Sequence, residues 1–136
     1  MHRPYRQRMT YRRALLTLLL PFVLVLGGCG MFNSDDAANA AVDAFLGKLS
    51  DADYAGAAAL VCAPSRSRTT TDSLKAEFER YPRPWTFAID AASYGSGDSG
   101  TANVTITPAG AAAQQYSVGL IDENGWEVCD ITPGWL

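Results

Sequence analysis

The spacing of apolar residues changes along the chain at Tyr81-Pro82-Arg83-Pro84. Before this point hydrophobic positions recur at helical intervals, and after it they alternate. Ala38, Ala41, Val42, Phe45 and Leu49 fall on one face of a 3.6-residue period, which predicts a helix over 35–49. Ser34 is placed to cap it, Asp35 and Asp36 suit the positive end of its dipole, and Lys48 suits the negative end. Ser50-Asp51-Ala52-Asp53 is a second start signal, close to a capping box with Asp in place of Glu. Tyr54, Ala57, Ala58 and Val61 then share a face, Cys62 falls in the last turn, and Pro64 ends the helix. The two helices form a hairpin. A third, short helix is expected over 72–80, with Leu74 and Phe78 turned inward.

Prolines 82 and 84 push their preceding residues into extended conformations. Trp85, Phe87, Ile89 and Ala91 alternate with smaller or polar residues and predict a first strand. Gly95-Ser96-Gly97-Asp98-Ser99-Gly100 reads as a turn. A second strand spans 101–107, with Ala102, Val104 and Ile106 on one face. A third runs over about 113–121, with Tyr116, Val118 and Leu120 together. Asn124-Gly125 is a strong hairpin signal and leads into a fourth strand, 126–131. Short turns between successive strands predict an antiparallel meander. Helices first and strands after indicate an α+β domain, with the helices packed on one face of a four-stranded sheet.

Upstream of these elements lies a different pattern. The first thirteen residues are polar and positive, and 14–26 carry no charge. This is the layout of a secretory signal, and the apolar run is shorter than the ~20 residues of a membrane span. It ends Leu26-Gly27-Gly28-Cys29, which resembles the bacterial lipobox, with cleavage between Gly28 and Cys29 and lipidation at Cys29. The implied organisation is a leader over 1–28, a lipidated tether over 29–34 and one α+β domain over 35–136. The expected location is the extracytoplasmic face of the cell membrane, held by acyl chains. Tyr11-Arg12-Arg13 also resembles a twin-arginine export signal, although the strongly apolar run favours the general secretion route.

This division changes the charge picture. Five of the eleven basic residues precede Ala14, and all fourteen acidic residues follow Cys29. The part after Cys29 therefore holds six basic and fourteen acidic residues, for a formal net charge of −8. So acidic a domain repels nucleic acid phosphates, which excludes nucleic-acid binding from the expectations. Ser65-Arg66-Ser67-Arg68-Thr69-Thr70-Thr71 is the local exception, a basic loop that reads as solvated surface.

With Cys29 assigned to lipid, Cys62 and Cys129 remain as a pair in an oxidising compartment. They predict a disulfide that pins the second helix to the last strand, with two free thiols as the alternative. A metal site needs more ligands, and the single His is His2 in the leader. No metal or cofactor is expected.

Ala41-Val42-Asp43-Ala44-Phe45-Leu46, Asp51-Ala52-Asp53-Tyr54-Ala55-Gly56-Ala57, Leu60-Val61-Cys62 and the closing Gly125-Trp126-Glu127-Val128-Cys129 together carry a resemblance. They are similar to small secreted lipoproteins of high-GC Gram-positive bacteria, a family of unknown function within the nuclear transport factor 2-like superfamily. The resemblance spans about 35–131. It implies a cone-shaped α+β fold with a strongly curved sheet wrapped around a helix. It implies no activity, because that fold hosts enzymes and non-enzymes alike.

Two classes of function follow. The favoured one is a non-catalytic binding or interaction module of the cell envelope. Its partner would be an apolar small ligand or an envelope protein, and a homodimer through the open sheet is one form of it. Tyr54, Trp85, Phe87, Tyr116 and Trp126 are the candidate lining of a pocket, and the same aromatics could equally fill the core. The alternative is a small enzyme of the ketosteroid isomerase or dehydratase type. For that, Asp90 as base and Tyr54 as donor are the available pair, but their spacing does not demand the role.

Overall fold

The computed structural model describes residues 34–94 and 97–134. The chain divides into two units, 1–31 and 32–136, and every described residue belongs to the second. The leader, Gly28, Cys29 and the tether up to Asn33 lie outside the described residues, as do Gly95, Ser96, Trp135 and Leu136. The element order is α1 (Ser34–Ser50), α2 (Tyr54–Ala59), a 3₁₀ turn (Ala63–Ser65), α3 (Thr71–Phe78), and strands β1 (Trp85–Ser93), β2 (Ser99–Pro108), β3 (Gln114–Asp122) and β4 (Trp126–Pro133). The fold is α+β. Its sheet is an open antiparallel meander in the order β1-β2-β3-β4. Among the described residues no helix is long and apolar enough to cross a membrane.

α1 ends in a compact hydrogen-bonded stop. The Ala52 N–H donates to the Leu49 carbonyl at 3.1 Å, and the Asp53 N–H reaches back to Lys48 at 2.9 Å. This is the Schellman pattern, which requires a left-handed residue. Here that residue is Ala52, at φ 59°, rather than glycine. The start of α2 differs from expectation. Its cap is Asp53, not Ser50, and the Asp53 carboxylate accepts from the Gly56 N–H at 2.8 Å. A Cβ on Gly56 would stand 2.3 Å from that carboxylate, so the cap needs glycine there.

α2 is also shorter than its apolar spacing predicts. It stops at Ala59, and neither Val61 nor Cys62 is helical. Val61 instead forms a parallel bridge with Val128 of β4, and the Cys62 N–H donates to the Val128 carbonyl at 2.8 Å. Pairing with a strand edge thus competes with one more helical turn and wins. It sets Cys62 beside Cys129, with sulfurs 2.12 Å apart and Cα atoms 4.9 Å apart, which is disulfide distance. α3 starts with a reciprocal capping box between Thr70 and Ser73.

The core lies between the helices and one sheet face. Val42, Phe45, Leu46 and Leu49 of α1 meet Val104, Ile106, Val118, Leu120 and Val128 of the sheet, all essentially inaccessible to solvent. Burying each such side chain contributes about 1.5–3 kcal/mol before the entropy of ordering is counted. Leu74 and Phe78 of α3 complete the core. The other face of the sheet carries Thr101, Asn103, Thr105, Thr107 and Ser117.

Two β-bulges break the alternation. On β1, Ile89 pairs with Val104 and Ala91 with Asn103, leaving Asp90 as the extra residue. On β4, Val128 pairs with Leu120 and Asp130 with Gly119, leaving Cys129 out of the ladder. A bulge exchanges the faces of everything beyond it. Ala91, expected on the core face with Ile89, therefore turns to the polar face. Tyr94 arrives on the core side and is buried. On β4 the second bulge keeps Asp130 exposed and brings Ile131 against the core.

Candidate functional site

The described surface holds a groove of about 280 Å³ where three elements meet. Ala41 and Ala44 of α1 form one wall. Ala59 and Leu60, at the end of α2, form the second. Trp126 and Val128 of β4 form the floor and the third. Small residues allow it. At positions 41, 44 and 59 a larger side chain would occupy the space between α1 and α2. The early end of α2 contributes as well, because Leu60 is its C-cap and points outside the helical pattern. Leu60 is 38% exposed and is the one large hydrophobic residue that stands open among those described.

Trp126 is held from behind. Its ring lies 5.6 Å from that of Tyr94, and the Tyr94 hydroxyl donates to Asn39 Oδ1 of α1 at 2.7 Å. Gly100 permits this arrangement, since a Cβ there would come within 2.6 Å of the Tyr94 ring. The Trp126 indole N–H is shielded from solvent and has no acceptor among the described residues.

Charges of both signs stand near the groove. The Arg66 Nε–H donates to the Val61 carbonyl at 3.1 Å, next to Leu60. Glu127 lines the groove. Asp43 is exposed beside Ala44 on α1, and Asp122 is the strand partner of Trp126. Burial raises the pKa of Tyr94 first, and the charges of Asp35 and Asp43 raise it further. Residues 84–134 contain six carboxylates and no Lys, Arg or His. The ion pairs among the described residues are Lys48–Asp53 at 3.2 Å and Arg80–Glu77 at 2.5 Å, and neither involves the sheet.

A second polar constellation lies at the other end of β3. The Tyr116 hydroxyl donates to the Glu77 carboxylate at 2.7 Å and lies 2.5 Å from the Tyr81 hydroxyl. Arg80 donates to the same carboxylate oxygen at 2.5 Å and to the Tyr81 hydroxyl at 3.0 Å. Burial, with these bonds, pushes the Tyr116 pKa well above the usual phenol range. The hydroxyl is thus a donor at any ordinary pH. Nearby, Arg83 donates to the Ser50 carbonyl at 2.5 Å and to the Tyr54 hydroxyl at 2.8 Å. Its guanidinium also lies over the rings of Tyr54 and Trp85, a cation–π arrangement. Both constellations join helices to the sheet.

The five aromatics expected to line one pocket are divided. Trp85 and Tyr116 pack around Phe78, at centroid distances of 6.4 and 5.3 Å. Tyr54 is buried under Arg83, and Phe87 is half-buried against the core. Trp126 alone of the five lines the groove. Asp90 and Tyr54 are not brought together. Asp90 sits at an exposed bulge and accepts from Thr105 Oγ1 on the polar face, whereas Tyr54 lies on the helix side. Among the described residues no group of three His, Cys, Asp or Glu side chains could hold a metal ion. Ala41, Ala44, Ala59 and Leu60 carried no signal as site residues in the sequence. The exposed side of an alanine-rich helix and a cap residue look the same whether or not a third element closes beside them.

Comparison of the chain with protein-family models, with curated proteins and with solved structures gives no match.

Proposed function

We propose that this protein is a lipid-tethered, non-catalytic interaction module of the cell envelope, anchored through Cys29 on the extracytoplasmic face. Its contact site is the groove between α1, α2 and β4. The observation that carries this reading is the open apolar groove with exposed Leu60 at its rim, against a helix–sheet interior filled by side chains. At about 280 Å³ it falls just below the 300–1,000 Å³ typical of small-ligand pockets. It suits one or two side chains of a protein partner.

The reading includes a disulfide between Cys62 and Cys129, in keeping with an oxidising location. It also includes the nuclear transport factor 2-like cone. Support for the cone comes from the helices-then-strands order and from helices packed on one face of a four-stranded meander.

The test is site-specific photocrosslinking of the full-length chain in intact cells. A photoreactive residue at position 44 should form protein adducts that disappear when Leu60 is changed to Asp. The same probe at Thr105, on the polar sheet face, should form none. Adducts from Thr105 alone, or none from either position, would refute the groove as a contact site. An adduct with a second copy of the chain would identify the partner as itself.

A further inference from the structure

Leu60 and the groove it borders lie side by side on one surface, and we infer that the groove takes Leu60 of a second copy of this chain, two copies exchanging these side chains about a two-fold axis. This inference rests on the reading of the groove as a contact site and names its partner.

The exchange follows from how the parts are placed. Val61 bridges Val128 in parallel, and both side chains are buried in the core. Extended chain alternates its faces, so their predecessors Leu60 and Glu127 turn outward, next to one another. Leu60 is the one large hydrophobic side chain that stands open among the described residues. Beside it, the methyl groups of Ala41, Ala44 and Ala59 line a hollow of about 280 Å³. A polar group inserted there would lose water without replacement, whereas a leucine loses nothing. A projecting aliphatic side chain and a methyl-lined hollow on the same face satisfy each other across an isologous contact, in which one patch serves both partners.

The charges of the patch are self-complementary as well. The Arg66 Nε–H donates to the Val61 carbonyl at 3.1 Å, which holds its guanidinium beside Leu60, and Glu127 lines the hollow. Neither belongs to an ion pair among the described residues. When the patch faces a copy of itself, the cation beside each leucine comes toward the Glu127 carboxylate of the other chain. A partner of a single sign would satisfy one of the two charges and oppose the other. Such pairing fixes orientation more than it adds affinity, which is left to the apolar exchange. The excess of fourteen acidic over six basic residues after Cys29 opposes association at long range. At about 0.15 M salt that field is screened within roughly 8 Å, and anchoring in one bilayer keeps copies close together.

The experiment uses the full-length chain, purified from membranes and returned to phosphatidylcholine vesicles at about 0.15 M salt. Unlabelled and nitrogen-15-labelled copies are mixed equally, each with an aliphatic diazirine residue at position 60. Irradiation is expected to join a labelled to an unlabelled copy, with attachment at Ala41, Ala44 or Trp126 of the second chain. Ala44→Phe fills the hollow from an exposed position. It should abolish these adducts with little change in melting temperature. Arg66→Glu and Glu127→Arg should each cut the yield by roughly fivefold or more. Mixing those two variants should restore it between unlike copies, because each supplies the charge the other lacks. Adducts confined to one copy, attached outside the groove, indifferent to Ala44→Phe or not restored by mixing overturn the inference. Its failure is separable from that of the broader reading. Groove-dependent adducts in cells to a different protein, with none between copies, would leave the contact site standing and refute the second copy as its occupant. Absence of groove adducts in cells and in vesicles would refute both.

Discussion

The Tyr116 hydroxyl reaches across from β3 to the Glu77 carboxylate of α3, 2.7 Å away and 39 positions earlier in the chain. It joins a buried phenol to a charged acceptor, so its loss is costly. Tyr116→Phe should destabilise the domain by about 1–2 kcal/mol, read from denaturant midpoints. It should also change the alkaline limb. A phenol whose pKa is raised by folding gives stability that is whole below the unfolded value near 10 and is lost as pH rises above it. The wild-type chain should therefore weaken beyond about pH 10. Tyr116→Phe should weaken less steeply, with Tyr94, also raised, supplying the slope that remains.

Ala52 offers a gain instead of a loss. At φ 59° its Cβ crowds the backbone in a conformation that costs an L-residue about 1–2 kcal/mol. Ala52→Gly removes that crowding and gives back part of it as unfolded-state entropy. The substitution should stabilise by roughly 0.5–1 kcal/mol, visible as a rise in melting temperature of several degrees. A fall would mean that the left-handed turn between α1 and α2 is not retained in solution.

Asp53 ties the same turn to pH. Its hydrogen bond from the Gly56 N–H, then its contact with Lys48, lowers its pKa below the ordinary 3.8. A carboxylate depressed by folding contributes stability above its unfolded pKa and loses it as pH falls through the folded one. Asp53→Ala should therefore lower the melting temperature at neutral pH. The gap between variant and wild type should close as the pH drops below about 4. A gap independent of pH would assign the effect to packing and not to the charged cap.

Cys62 and Cys129, at disulfide distance, are separated by 67 positions in the sequence, and the bridge proposed between them can be tested directly. Replacing both cysteines with serine should cost about 4 kcal/mol on the chain-entropy model. Intact mass should rise by two hydrogens on reduction of the wild type and not change in the variant. A wild-type mass already at the reduced value would leave the two thiols free.

The elements were legible because their periodicities were unbroken. Leu74 and Phe78 of α3, and Ala102, Val104 and Ile106 of β2, face the core as their spacing predicts. The departures share one physical origin, which is competition from partners distant in sequence. Val61 continues the helical stripe of α2, yet the β4 edge takes it. Tyr94 has the wrong parity for the core until the bulge at Asp90 exchanges faces, and Ile131 owes its place to the bulge at Cys129. An extra residue in a ladder is set by both strands together, so neither strand alone announces it. The groove was invisible for a related reason. Trp126 stood out as a large aromatic, but the alanines that leave room beside it acquire meaning only when α1, α2 and β4 converge.

The placement of the cysteines also determines how the domain would carry load. Tension applied between Ser34 and Gly134 draws on α1, α2 and the few residues beyond Cys129. With the bridge closed, everything from Cys62 to Cys129, including α3 and nearly the whole sheet, is a covalent loop outside the line of force. Its 67 intervening steps withhold on the order of 230 Å of contour length. A bridged domain stretched between those two points would reach its full extension early and stiffen, with β1, β2 and β3 held inside the closed loop.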